Sequence, residues 1–430
     1  MKSRRSVRLL LLVILLAATA ARSRGGEADS WPPPPGVVVS TSPDPATDFL
    51  GSPSIVVLPD GSYLAAHDIF GPRARQLHTT QVYASQDRGK SWQQVGSIPG
   101  QFWPMLFLHR GRLYMIGVNR EYGDIVIRRS DDRGRTWTEP QDEQSGLLFR
   151  GRFHCAPVPF ASLDGRLWRA FEEYTGADGS WSGRFFRSFV ISVPEDADLL
   201  VAANWSRANG LDFHDAWLNG YQPGWTEGNV VVTPDRRLVN ILRLNTRPRA
   251  EDSLALTGPA AGFPRYGIAA VIDIDPGRGQ CRFDPSNGFI RFPGGQSKFT
   301  IRYDAVSRRY WSLVQKVTAP EAREGRYILP DYQRNVLLLT SSADLADWQE
   351  HAIVLRWHEG RPVHARDRVG FQYVDWQIEG DDLIAVCRTA WNAVNYHDSN
   401  FLTFHRIRDF RRLTPADSSP PLVTPAYEIH

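Results

Sequence analysis

Charged residues and imidazoles in this chain recur at the ends of apolar runs, where strands deliver side chains to a common mouth. Ser52, His154, Glu227, Lys298 and the triplet Phe371-Gln372-Tyr373 stand where such runs begin. His67-Asp68, Arg120, Glu172-Glu173, Arg243, Gln315 and Arg388 stand where the returning runs end. Glu227, Asp375 and Asp68 are carboxylates suited to proton transfer or nucleophilic attack, and Tyr373 adds a hydroxyl among them. Arg243, Arg334 and Arg388, with Lys298, Arg120 and Gln372, suit the binding of an anion. A guanidinium grips a carboxylate through two parallel hydrogen bonds, which an ammonium cannot copy. His67 and His154 are candidate proton carriers. No spacing of His, Asp or Glu specifies a metal site, and no cofactor is expected.

The elements that must position these groups are hairpins. Ile55-Val56-Val57-Leu58 passes through Pro59-Asp60-Gly61 to Tyr63-Leu64-Ala65-Ala66. Related pairs follow at Leu106–Ile116, around Asp164-Gly165, at Val230–Val239, at Phe299–Trp311 and at Val374–Ile384. Six copies with alternating apolar strands, roughly 50 to 70 residues apart, fit four-stranded blades that bury their faces on one another. The expected fold class is all-β, a six-bladed β-propeller. The expected blades are 49–100, 101–149, 150–223, 224–293, 294–369 and 370–414.

A second repeat supports the first. Ser85-Gln86-Asp87-Arg88-Gly89-Lys90-Ser91-Trp92 returns as Ser130-Asp131-Asp132-Arg133-Gly134-Arg135-Thr136-Trp137, and a worn copy stands at Ser342–Trp348. The Asp can accept backbone N–H groups, the Gly can take positive φ and the Trp can pack on the sheet. The octad resembles the Asp box of sialidases and related propellers. That resemblance implies a sialidase-like propeller and makes Asp87 and Asp132 turn residues rather than catalysts.

The pair Glu227-Gly228-Asn229-Val230-Val231-Val232 and Leu238-Val239-Asn240-Ile241-Leu242-Arg243 resembles a sialidase strand pair with a Glu at its start and an Arg at its end. In that family the Glu polarises a nucleophilic tyrosine and the Arg belongs to a triad that clamps the sugar carboxylate. The resemblance assigns those roles to Glu227 and Arg243. It also places a second clamp arginine at Arg334, before Asn335–Leu339 and the worn octad. Three features depart from the family. Gly51-Ser52-Pro53 stands where an Arg-Ile-Pro-like motif would supply the remaining arginine. The stretch from Ile69 to Gln81 holds no carboxylate for the acid/base Asp, so Asp68 is the nearest. Phe371 aligns with the nucleophile, which leaves Tyr373, two residues on and expected on the same strand face, as the nearest hydroxyl.

The 430-residue chain holds 35 Gly, 30 Pro, 14 Trp and 14 Tyr, a composition suited to short strands and turns. Lys2, Arg4, Arg5 and Arg8 precede an apolar run and a small-residue stretch, so residues 1–21 read as a secretory signal that leads to a secreted or periplasmic protein. That run is too short to span a bilayer, so no membrane anchor is expected. Removing it takes the formal charge from +3 to −1. No basic field for nucleic acid remains. Residues 22–48 read as a flexible lead-in, 49–414 as the propeller and 415–430 as a tail. Cys155, Cys281 and Cys387 are too scattered for a disulfide framework and read as structural thiols. The expected partner is a glycan. The first reading is an exo-glycosidase that removes a terminal acidic sugar, sialic acid first. A propeller lyase acting on uronic acids and a non-catalytic glycan-binding propeller are the alternatives.

Overall fold

The computed structural model describes residues 31–72, 78–177, 182–220, 224–245, 266–318, 332–359 and 367–425; the secretory-signal segment 1–21 lies outside them. The described residues form six antiparallel sheets of four or five strands, with no α-helix among them. The hairpin repeat places the strands. In blade four the inner strand Trp225–Val232 turns through Thr233–Arg237 into Leu238–Leu244, which is buried along its whole length. A strand covered on both faces is mostly apolar, with Asn240 and Arg243 the polar exceptions here, and β-branched Val and Ile pack well there.

Six apolar clusters fill the six gaps between neighbouring blades. Met105, Phe153 and Trp205 pack between blades two and three, and Trp168, Trp225 and Leu242 between three and four. Phe292 and Leu338 join blades four and five, and Trp311, Trp357 and Trp376 join five and six. Ile55 with Val386 and Leu64 with Met115 complete the ring. Each buried Leu, Ile or Phe contributes about 1.5–3 kcal/mol. Because every cluster spans two blades, no blade is stable by itself.

The ring closes through the N-terminal strand. Val37–Thr41 is the outermost strand of blade six, pairing Val37 with Phe404 and Thr41 with Phe401. These residues lie in the stretch expected to be a flexible lead-in, so the propeller takes in chain from before Phe49. The C-terminal stretch instead runs along blade five, where Ser419 and Leu422 donate to the carbonyls of Ile353 and Arg356.

The octads sit where the third strand of a blade turns into the fourth. In the second octad Ser130 bonds Asp132 at 2.9 Å, and Asp132 accepts from Thr136 N at 2.8 Å and Thr136 Oγ1 at 2.7 Å. Gly134, at φ 84°, donates to Ser130 Oγ. The worn copy keeps the scheme through Ser342, Asp344 and Trp348. Strands alternate in direction, so these turns lie on the face opposite the starts of the inner strands. The three cysteines are buried thiols.

Candidate functional site

Three innermost strands bulge at the same level of the channel. The register shifts between Phe102 and Met105 in blade two, between Thr226 and Asn229 in blade four, and between Gln372 and Asp375 in blade six. The first inserted residue of each bulge is left-handed: Trp103 at φ 49°, Glu227 at 56° and Tyr373 at 54°. Non-glycine residues rarely adopt this region, and a bulge re-aims the side chain that carries it. This local strain persists because each bulge is held from the preceding blade. Asp68 Oδ2 accepts from Trp103 N at 3.0 Å, Glu172 Oε1 accepts from Gly228 N at 3.2 Å, and Lys298 Nζ donates to Val374 O at 2.9 Å. Odd blades thus buttress even ones.

Two of the bulged residues meet. Tyr373 donates its hydroxyl to Glu227 Oε1 at 2.7 Å, and Arg243 donates to Glu227 Oε2 at 2.9 Å. Glu227 and Arg243 are 2% and 1% exposed, so this is a buried, fully hydrogen-bonded ion pair rather than a surface contact. Burial works against the Glu227 charge, but Arg243, with the hydrogen bond from Tyr373, holds the carboxyl below its usual range. Burial pushes the Tyr373 hydroxyl up, and the neighbouring Glu227 adds to the shift.

Arginines surround this phenol. Arg388 and Arg334 lie 5.0 and 5.5 Å from the Tyr373 ring centroid, and Arg243 Nη1 is 3.5 Å from its oxygen. Gln372 orients Arg334 by accepting from its guanidinium. The loop Asn392–Asn400 orients Arg388, whose Nη2 donates to His397 O at 2.7 Å. Gln372 Nε2 anchors that loop through the carbonyls of Tyr396 and His397. Burial lowers Arg388 to about 10, with Arg334 adding like-charge repulsion. The Nε groups of Arg334 and Arg388 have no partner among the described residues. Crowded, under-bonded guanidiniums of this kind are the electrostatic complement of a carboxylate. Arg388, from blade six, thus lies with Arg334 and Arg243 around the Tyr373 side chain.

Asp68 completes the ring of blades. Burial raises its carboxyl to about 6, only partly offset by the Trp103 amide and by Arg388. Its Oδ1 has no partner among the described residues and packs over Gly51, where a Cβ would come within 1.8 Å. The absence of a side chain at Gly51 thus makes room for this carboxyl.

Other expected residues lie elsewhere. His67 alternates to the far side of its strand, with Nε2 3.0 Å from Ser40 Oγ and its ring stacked on Tyr83, which excludes it from the cluster. Asp375 ties blades together: Oδ2 accepts from Ile55 N at 3.0 Å and Oδ1 from Arg302 at 3.1 Å. Lys298 is wholly buried beneath the Tyr373 bulge and lowered by burial to about 8. Arg120 is exposed on the loop after Arg112–Val118. His154 is in the cluster, 2.9 Å from Glu172 through Nδ1. The parity argument for Tyr373 needs correction. Phe371 packs into the core between blades five and six, and Tyr373 reaches the channel because its bulge breaks the alternation. Trp103 and Tyr122 are lining residues that pattern reading missed. The signals for two of the bulges were Pro104 and Gly228 inside strands, residues that mark interrupted ladders.

No family model matches the chain, and no curated protein resembles it in sequence. Solved structures share its fold. An α-L-arabinofuranosidase from Fusarium graminearum, bound to an iminosugar inhibitor, aligns with a TM-score of 0.53 at 12% identity, covering 87% of this chain and 97% of that one. The α-L-arabinanase of Penicillium chrysogenum, complexed with arabinobiose, aligns with a TM-score of 0.50 at 13% identity, covering 88% and 98%. An intramolecular trans-sialidase from Ruminococcus gnavus, in complex with oseltamivir carboxylate, aligns at 0.49 and 14% identity, covering 88% and 98%. At these identities the likeness to the arabinofuranosidase and the arabinanase establishes the fold alone.

Proposed function

We propose that the chain is a glycoside hydrolase that removes a terminal acidic sugar, with sialic acid the first candidate. One observation carries the reading: the Tyr373 hydroxyl is bonded to the Glu227 carboxylate inside a ring of three arginines. The arginines take the sugar carboxylate, which turns the anomeric carbon toward Tyr373. An anionic nucleophile would be repelled by such a substrate, whereas a phenol stays neutral until it attacks. As its oxygen bonds the anomeric carbon, its proton passes to Glu227. Asp68, protonated below about pH 6, gives its proton to the leaving oxygen. Water then attacks the anomeric carbon and gives its proton to Asp68, as the bond to the phenolic oxygen breaks and Glu227 returns its proton to Tyr373. Two displacements retain the anomeric configuration.

The glycosidase neighbours support hydrolysis, and the arginine ring favours an acidic sugar over arabinose. His67, one imidazole a lyase would use as its base, is engaged elsewhere, and His154 is the one left at the cluster, so the product distinguishes the two reactions. The test is incubation with aryl glycosides of sialic, glucuronic and galacturonic acids and of arabinofuranose. Release of an intact acidic sugar supports the proposal. Release of arabinose alone, or products carrying a new double bond, would overturn it.

A further inference from the structure

Glu172 and His154 face each other across neighbouring strands of blade three, and both are buried. The adjacent Glu173 alternates outward to a salt bridge with Arg207, so only Glu172 turns to the channel. Its two oxygens do different work. Oε2 lies 2.9 Å from His154 Nδ1, and Oε1 holds the amide of Gly228, the residue after Glu227. One carboxylate thus ties an imidazole and the Glu227 bulge into a fixed relation.

The far nitrogen of His154 is the unexplained part. Nε2 has no hydrogen-bond partner among the described residues, and the ring sits among aromatic side chains. Trp103 is 4.5 Å away by centroid, Phe186 4.8 Å and Tyr122 6.3 Å. A purely structural bridge between blades three and four would be cheaper without a buried carboxylate and an imidazole. In a neutral ring, a proton on Nδ1 directed at Glu172 leaves Nε2 as an acceptor. The arginines belong to blades four, five and six, so this wall of blades two and three faces the end of the sugar remote from its carboxylate.

Resting on the acidic-sugar reading above, we infer that His154 accepts a hydrogen bond from a hydroxyl on that remote end, beside an apolar wall that includes Trp103. Glu172 is the positioning residue that sets the tautomer. Sites that hydrogen-bond a substrate hydroxyl discriminate strongly against its deoxy analogue, because the protein partner is left unpaired.

The experiment is calorimetric titration of the full chain with the methyl glycosides of sialic acid and glucuronic acid and with their monodeoxy analogues. Wild type is expected to lose at least about tenfold in affinity for one deoxy position. His154→Phe keeps the ring packing and should bind parent and analogue alike. Glu172→Gln should shrink the same discrimination while the response to esterifying the sugar carboxylate stays unchanged. Equal weakening of every analogue by both variants, or an intact preference in both, overturns the assignment of His154 alone. Failure of wild type to bind any acidic sugar overturns it together with the proposed function.

Discussion

The two faces of the propeller are both rich in Asp, Glu and Arg, yet they use these residues differently. On the octad face the carboxylate of each octad is satisfied by its own turn. Asp132 takes bonds from Ser130, Arg135 and Thr136, all within four residues, and is half-buried. On the opposite face partners come from other blades: Tyr373 and Glu227 are 146 positions apart, and Trp103 and Asp68 are 35 apart. Those groups are buried and bonding capacity is left over at Asp68 Oδ1, Arg334 Nε and Arg388 Nε. Local, saturated carboxylates stabilise turns. Long-range, incompletely saturated ones are poised to bind something else.

The contrast is sharpest at Tyr373. Tyr373→Phe removes one oxygen and should lower kcat/KM on an aryl sialoside by about a thousandfold or more, the range for loss of a nucleophile or its base. The fold should persist, because the ring packing against Arg334 and Arg388 is kept. Circular dichroism melting checks the fold and initial rates check the loss. An unchanged rate would move the chemistry elsewhere. Next in size, Arg388→Lys should raise KM with kcat less affected, a loss of about 10- to 100-fold in kcat/KM for one charge-assisted pair. Esterified substrate should show no such penalty.

A pH titration separates the faces by sign. Burial raises Asp68 to about 6, so the folded chain holds that proton more tightly than the unfolded chain does. Stability should therefore fall as pH climbs from about 4, the ordinary carboxyl value, to about 6. Asp68→Asn should cancel that fall and raise Tm at neutral pH. The same change should abolish the alkaline limb of the kcat/KM profile near pH 6 and slow substrates with poor leaving groups most. A variant that loses Tm at neutral pH would show that the charged form is the stabilised one.

What the sequence disclosed follows the same division. The octads and hairpins are local, so their spacing announces blades and the strand ends point to Glu227 and Arg243, while Arg334 comes only from the resemblance to sialidases. The bulges are not local. Whether Tyr373 faces the core or the channel depends on the register shift after the Gln372–Arg388 pair and on a buttress from Lys298, and strand parity alone gives the wrong reason. The alternation that puts Asp68 inward puts His67 outward, so two adjacent candidates could not both belong to the cluster. Ring closure by Val37–Thr41 joins residues more than 350 positions apart, which no window along the chain can display. The convergence of Arg243, Arg334 and Arg388 is likewise a fact of space: one site can draw its cations from any blade.

The smallest effect on activity should come from the octad face. Asp132→Ala removes acceptors for Thr136 and Arg135 and leaves their amides to water, since the turn is exposed. Such a loss shifts Tm by about 1–3 °C in a chain of this size. The substrate kinetics should be unchanged, because no bond of Asp132 crosses to another blade among those described. Rates measured well below Tm test this directly. If kcat or KM moved by more than twofold, the turns and the channel mouth would be coupled through the blade, and the division drawn between local and long-range carboxylates would not hold.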